Sequence, residues 1–137
     1  MVLKKILAAV LLLTTLISVL LPAVSGTEDT DVLILAQTLY AIAQDESDSV
    51  MMNVGSIVMN RTESVWFPDS VQAVLDQQHQ FARGTRYDDR SLDAAQKLLS
   101  GSRTLPSDAV YFDLNAFGNG VGEAVALDET YTYYAQK

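Results

Sequence analysis

Two helical runs set end to end between Val32 and Arg61 constrain this chain more than any other feature. In the first, Leu35, Leu39, Ile42 and Ala43 recur at three- and four-residue intervals, the spacing of one inward stripe. A helix is expected over 32–44, capped by Thr30 or Asp31 after a polar lead-in from Gly26 to Asp31. Asp45-Glu46-Ser47-Asp48 is polar enough to be a turn, with Ser47 as the next cap. The second helix is expected over 49–61, where Val50, Met51, Val54, Ile57 and Val58 form its stripe. Carried one turn past Ile42, the first stripe puts Glu46 on the same face as Ile42. Gly55 in mid-helix costs about 1 kcal/mol of helix propensity. Close packing of another helix is the expected compensation, and close approach of a ligand is the other reading.

Ahead of these runs, Lys4 and Lys5 precede a nearly unbroken apolar stretch from Ile6 to Leu21, then Pro22 and the small residues Ala23-Val24-Ser25. This is the layout of a secretory signal peptide over 1–25, cut after Ser25. The alternative is an uncleaved membrane anchor, although the stretch is shorter than the roughly twenty residues a spanning helix needs. Residues 26–137 are read as one domain, large enough for a core without staples, and the chain has no cysteine. Against 17 acidic residues stand 9 basic ones, two of them in the leader. That balance argues against nucleic acid. It leaves stacking and hydrogen bonds, rather than net charge, to hold any glycan.

Downstream, Phe67-Pro68-Asp69-Ser70 marks a helix start, with Asp69 or Ser70 as the cap, for a short helix over 71–75. Gln77 to Phe81 is a polar segment closed by an aromatic, and Arg83 to Arg90 is a charged loop. Asp89 or Ser91 caps a helix running to Leu99, closed by Ser100-Gly101. Ala109 to Phe112 is a strand, Asn115 to Gly122 a loop, and Thr130 to Tyr134 a second strand able to pair with the first. The expected fold is mainly α, α+β in class, with a minor two-stranded β piece.

In this order the pieces resemble the cell wall hydrolase family that includes the spore cortex-lytic enzymes of bacteria. That family opens with Leu-Ala leading into Tyr-x-Glu-Ala-Arg-Gly-Glu; here Leu35-Ala36 and Tyr40-Ala41-Ile42-Ala43-Gln44-Asp45-Glu46 hold those places. Met59-Asn60-Arg61, Phe67-Pro68, Gln80-Phe81, Leu99-Ser100-Gly101 and the strand from Ala109 match its later landmarks. The resemblance implies an exported, small lysozyme-like helical domain acting on the glycan strands of peptidoglycan in the wall, as a glycosidase or lytic transglycosylase. It implies a single catalytic acid, the first Glu of the motif, and neither metal nor cofactor. Such an acid must be held neutral by a partly apolar pocket so that it can protonate the leaving glycosidic oxygen. Its position here is Ile42, which has no proton to give. Gln44 and Asp45 replace the motif's Arg and Gly, Glu46 keeps its second acid, and the Thr-Tyr run from Thr130 replaces the family's Gly-x-His-x-Phe close.

Glu46 is therefore the candidate proton donor, its other reading being an exposed acid near a helix end. Glu63 and Glu123 have no helical tie to the motif. By the resemblance Gln80 and Phe81 line the glycan groove, the amide for hydrogen bonds and the ring for a sugar face; Phe81 also suits a core. Tyr40 is a groove hydroxyl or a buried ring. Trp66 is a stacking platform or, the readier expectation, a ring packed under its loop. Asn60 and Arg61 are expected to fix the end of the second helix, Arg61 by pairing with an acid. His79, alone of its kind and without cysteines, lacks a metal-ligand set and reads as a solvated loop residue. Asn60-Arg61-Thr62 fits a glycosylation sequon by accident of a helix end. Three functions follow: an enzyme using Glu46, a module that binds glycan without cutting, or a membrane-held structural or partner-binding protein.

Overall fold

Helix α1, Ser25–Ala43, opens the part of the chain that the computed structural model describes, residues 25–115 and 122–136. The leader read in residues 1–25 lies outside the described residues but for Ser25. Contacts divide the chain into two units, Met1–Thr30 and Asp31–Lys137. Of the first, residues 25–30 are helical, so the segment expected as a polar lead-in is already α1. Acidic residues suit the positive end of a helix dipole, and polarity there does not stop the helix.

Leu35, Ala36, Leu39 and Ala43 are fully buried, and Ile42 packs half-buried against them. The helix ends at Ala43, so Glu46 lies in the turn beyond it and the same-face expectation for Ile42 and Glu46 does not hold. The i,i+4 relation requires helix between the two residues. Arg90 stabilises this helix end from across the chain. Its guanidinium donates to the carbonyls of Ala43 (3.2 Å), Gln44 (3.3 Å) and Glu46, groups that a helix C-terminus leaves without partners.

Helix α2, Asp48–Glu63, starts where Ser47 Oγ accepts from the Val50 amide at 3.2 Å. Every residue from Asn53 to Arg61 is buried, which makes α2 the central helix of the domain. The packing reading of Gly55 holds: a Cβ there would sit 2.2 Å from Leu98 Cδ1 and 3.4 Å from Leu39 Cδ2. Leu98 belongs to α4, Asp89–Leu99, whose cap is Asp88, one residue before the expected Asp89. Ser91 completes a reciprocal capping box with Asp88. Between them, α3, Val71–Leu75, is capped by Ser70 as expected. Gly101 follows α4 with φ +108°, the left-handed conformation suited to glycine.

Among the described residues the β part has three strands rather than two. β1, Ala109–Leu114, and β2, Gly122–Leu127, both pair antiparallel with β3, Tyr131–Gln136, which lies between them. The pairing of β1 with β3 is the one expected. β2 is the addition; its Gly-Glu-Ala-Val-Ala-Leu has low strand propensity and forms because β3 offers a free edge. β1 packs on α2, and Tyr133 of β3 is fully buried in the core.

Candidate functional site

Four polar side chains of α2 face inward, and each finds partners from later segments, as buried polar groups must. Asn60 Nδ2 donates to the carbonyls of Pro106 (2.8 Å) and Ala109 (2.9 Å). Ser56 Oγ accepts from the Thr104 amide at 3.0 Å. Asn53 accepts from Thr104 Oγ1 at 2.7 Å and donates to Asp128 Oδ2 at 2.9 Å. These bonds hold α2 to the start of β1 and to the β2–β3 turn.

The fourth, Arg61, is 2% exposed. The acid expected to pair with it is absent among the described residues. Its Nε donates to the Val110 carbonyl at 2.7 Å, Nη1 to Gln77 Oε1 at 3.1 Å and Nη2 to Gln80 Oε1 at 3.1 Å. The rings of Phe67, Phe81 and Tyr111 surround it, their centroids 4.7, 4.9 and 5.3 Å from Cζ. Ring faces attract a cation without carrying charge. Burial pulls the guanidinium down from 12.5 to about 10, against a smaller upward pull from Tyr111.

This cage sets what Gln80 can offer. Its oxygen is taken by Arg61, so the amide is locked oxygen-in, and its nitrogen has no internal partner among the described residues. Gln80 is exposed and lines an open cleft of about 330 Å³ with Arg61, His79, Tyr111, Phe112 and Tyr131. The cleft therefore presents a donor amide between aromatic walls. Phe112 and Tyr131 meet edge to face at 5.1 Å, and both are half-buried. Phe81 is 8% exposed and belongs to the core beneath them, packed on Phe112 at 6.2 Å. Its ring supports the wall and is not itself presented.

Glu46 is half-buried in the α1–α2 turn, its Oε2 accepting from Thr130 Oγ1 at 2.7 Å. It does not itself line the cleft, which Tyr131, the neighbour of Thr130, does. Burial first, and then the negative charges of Glu46 and Asp128, push the Tyr131 phenol up. Asp128 anchors this corner. Burial alone would raise its carboxyl, but donation from Asn53, Tyr133 and the amides of Tyr131 and Thr130 outweighs it and holds the group below the usual range.

The remaining predicted residues lie apart. Tyr40 lines a second opening of about 370 Å³ with Gln44, Gly84 and Arg86, and the Arg86 guanidinium lies 5.7 Å from its ring. Trp66, expected to pack under its loop, is 73% exposed and lines a third opening of about 230 Å³. Of the site candidates read from the sequence, Tyr40 lines the somewhat larger opening, and Gln80 lines the cleft walled by Phe112 and Tyr131. Tyr111, Phe112 and Tyr131 were legible as strand residues but not as its walls, because their convergence depends on strand pairing.

Residues 45–124 match the sequence model of a family described as Cell Wall Hydrolase, more than half of the chain. The chain belongs to the cell wall hydrolase family. Two solved structures share its fold. The catalytic domain of the Bacillus cereus SleB protein superposes with a TM-score of 0.70 at 15% identity, covering 77% of this chain and 90% of that one. The catalytic domain of the germination-specific lytic transglycosylase SleB from Bacillus anthracis gives 0.68 at 15% identity, covering 76% and 93%. No curated protein matches the sequence at a significant level. The family match starts at Asp45, three residues after Ile42, so Ile42's correspondence to the acid position rests on the resemblance of the Tyr40–Glu46 segment.

Proposed function

We propose that this chain is an exported, peptidoglycan-directed family member that holds amino-sugar glycan strands in the cleft beside Gln80, with no general acid at position 42. What carries the reading is the cleft itself: a locked donor amide between aromatic walls, in a protein too acidic to hold ligand by net charge. The amide suits the acceptor oxygens of an acetamido sugar, and the walls suit its apolar face. Glycosidic cleavage needs a proton on the leaving oxygen, and its loss commonly forfeits a factor of about a hundred to ten thousand in rate. Isoleucine at 42 supplies none.

The test combines co-sedimentation with insoluble peptidoglycan and dye release from the same polymer. The chain should sediment with the polymer and release no dye. Ile42→Glu should gain release, provided that circular dichroism shows it folded, since a half-buried carboxyl costs about 1–3 kcal/mol. A wild-type chain that fails to sediment removes the reading.

One observation favours a second reading in which Glu46 donates the proton: Thr130, whose Oγ1 donates to Glu46 Oε2 at 2.7 Å, is the chain neighbour of Tyr131, which lines the cleft. Dye release by the wild type that Glu46→Gln abolishes would establish it. Export predicts a mature amino terminus at Gly26, read by mass spectrometry; an intact leader would favour the membrane-held alternative.

A further inference from the structure

Trp66 lies three residues past the end of α2, and the backbone there is tied to Ser64. Ser64 Oγ accepts from the Trp66 amide at 3.3 Å, and the Ser64 carbonyl accepts from the Phe67 amide at 3.3 Å. Phe67 is itself held in the Arg61 cage and meets Tyr111 edge-on at 5.8 Å. The loop backbone is tied down here, while the Trp66 ring is 73% exposed. Around it, the third opening is lined by Ser64, Ser107, Asp108, Val110 and Gln136. The side chains of Asp108 and Gln136 are exposed and have no partner among the described residues. Val65 beside Trp66 is 91% exposed as well, and the two are flanked by a free carboxylate and a free amide, a smaller and more polar patch than a protein-docking surface.

The opening also adjoins the main cleft. Val110 and Tyr111 are consecutive on β1, where its pairing with β3 shifts register. Val110 lines the Trp66 opening and Tyr111 lines the cleft. A linear polymer engaged at one could reach the other.

We propose that the Trp66 opening is a second contact for the same glycan strand: a sugar ring lies on the indole while Asp108 accepts from its hydroxyls and the Gln136 amide bridges its polar edge. This rests on the reading that the cleft beside Gln80 holds such a strand. Two contacts on one polymer reinforce each other through effective concentration, so the long strand depends on Trp66 more than a short oligomer held in the main cleft does.

Trp66 is the chain's only tryptophan, so its fluorescence reports this opening alone. Titration with a soluble N-acetylglucosamine oligomer should change the emission saturably, and Asp108→Asn should weaken that response. Trp66→Ala should keep the far-ultraviolet circular dichroism and lose about tenfold in co-sedimentation affinity for peptidoglycan, while Trp66→Phe should recover part of the loss. Emission that stays constant while the wild type sediments with peptidoglycan would overturn the proposal and leave the main cleft standing. So would a Trp66→Ala variant that binds peptidoglycan normally but changes self-association in sedimentation velocity, which would make the patch a protein contact. A wild type that binds no peptidoglycan removes the proposal together with the reading beneath it.

Discussion

Gln80→Glu should make the domain more stable and its cleft a poorer binder of glycan. Arg61 is buried without a counter-charge, and its Nη2 already donates to Gln80 Oε1 at 3.1 Å. A carboxylate in that place turns a neutral acceptor into a charged one. Position 80 is exposed, so the gain is that of a well-placed surface pair, about 1 kcal/mol. For a domain near a hundred residues that is roughly 4–8 °C in Tm. The same exchange removes both amide hydrogens from the cleft. Losing one hydrogen bond costs about 0.5–1.5 kcal/mol, a fall of roughly two- to tenfold in affinity. Urea unfolding followed by circular dichroism reads the first effect, and co-sedimentation with peptidoglycan reads the second. A variant that is less stable, or that binds undiminished, would refute the cage and the locked amide as described.

Gly55→Ala should destabilise by about 1 kcal/mol in urea unfolding, because overpacking at roughly 1–3 kcal/mol exceeds the helix-propensity gain. In a Leu98→Ala background, where the colliding methyl group is gone, the same change should be neutral or stabilising, and simple additivity would count against the packing. Asp128→Asn should cost about 2 kcal/mol at neutral pH through weakened charged hydrogen bonds. The folded Asp128 value is depressed, so its contribution is present above the ordinary carboxylate range and is lost as pH falls through the folded value. The variant should therefore lose less stability than the wild type on acidification, and parallel pH profiles would sink this account.

Local chemistry made much of the helical frame legible. Ser47 and Ser70 cap where their hydroxyls and the following stripes said they would, and Gly55 and Gly101 take the roles expected of glycine. The failures share a cause, which is that each depended on partners far away in sequence. β2 forms on an edge that exists only once β3 is in place, so its own composition gave little sign of it. The end of α1 is stabilised by Arg90, 47 residues beyond Ala43, and this placed Glu46 off the helix. In the candidate site, the amide at Gln80 was legible as a groove residue. Its orientation was not, because Arg61 brings together Phe67, Phe81 and Tyr111 from three segments. Trp66 shows the converse: burial was the general expectation for so large a ring, and nothing nearby in sequence announced that it would stay outside.

The strand order has a consequence for how the domain comes into being. β3 lies between two strands that both precede it in the chain. As the polypeptide leaves the ribosome, β1 and β2 each await a neighbour not yet made, and they touch each other only weakly in the finished sheet. The Asp128 corner, with Tyr133 donating to it, also assembles only at that last step. Until then the domain has helices but no sheet, so the sheet is the last part of the fold to close.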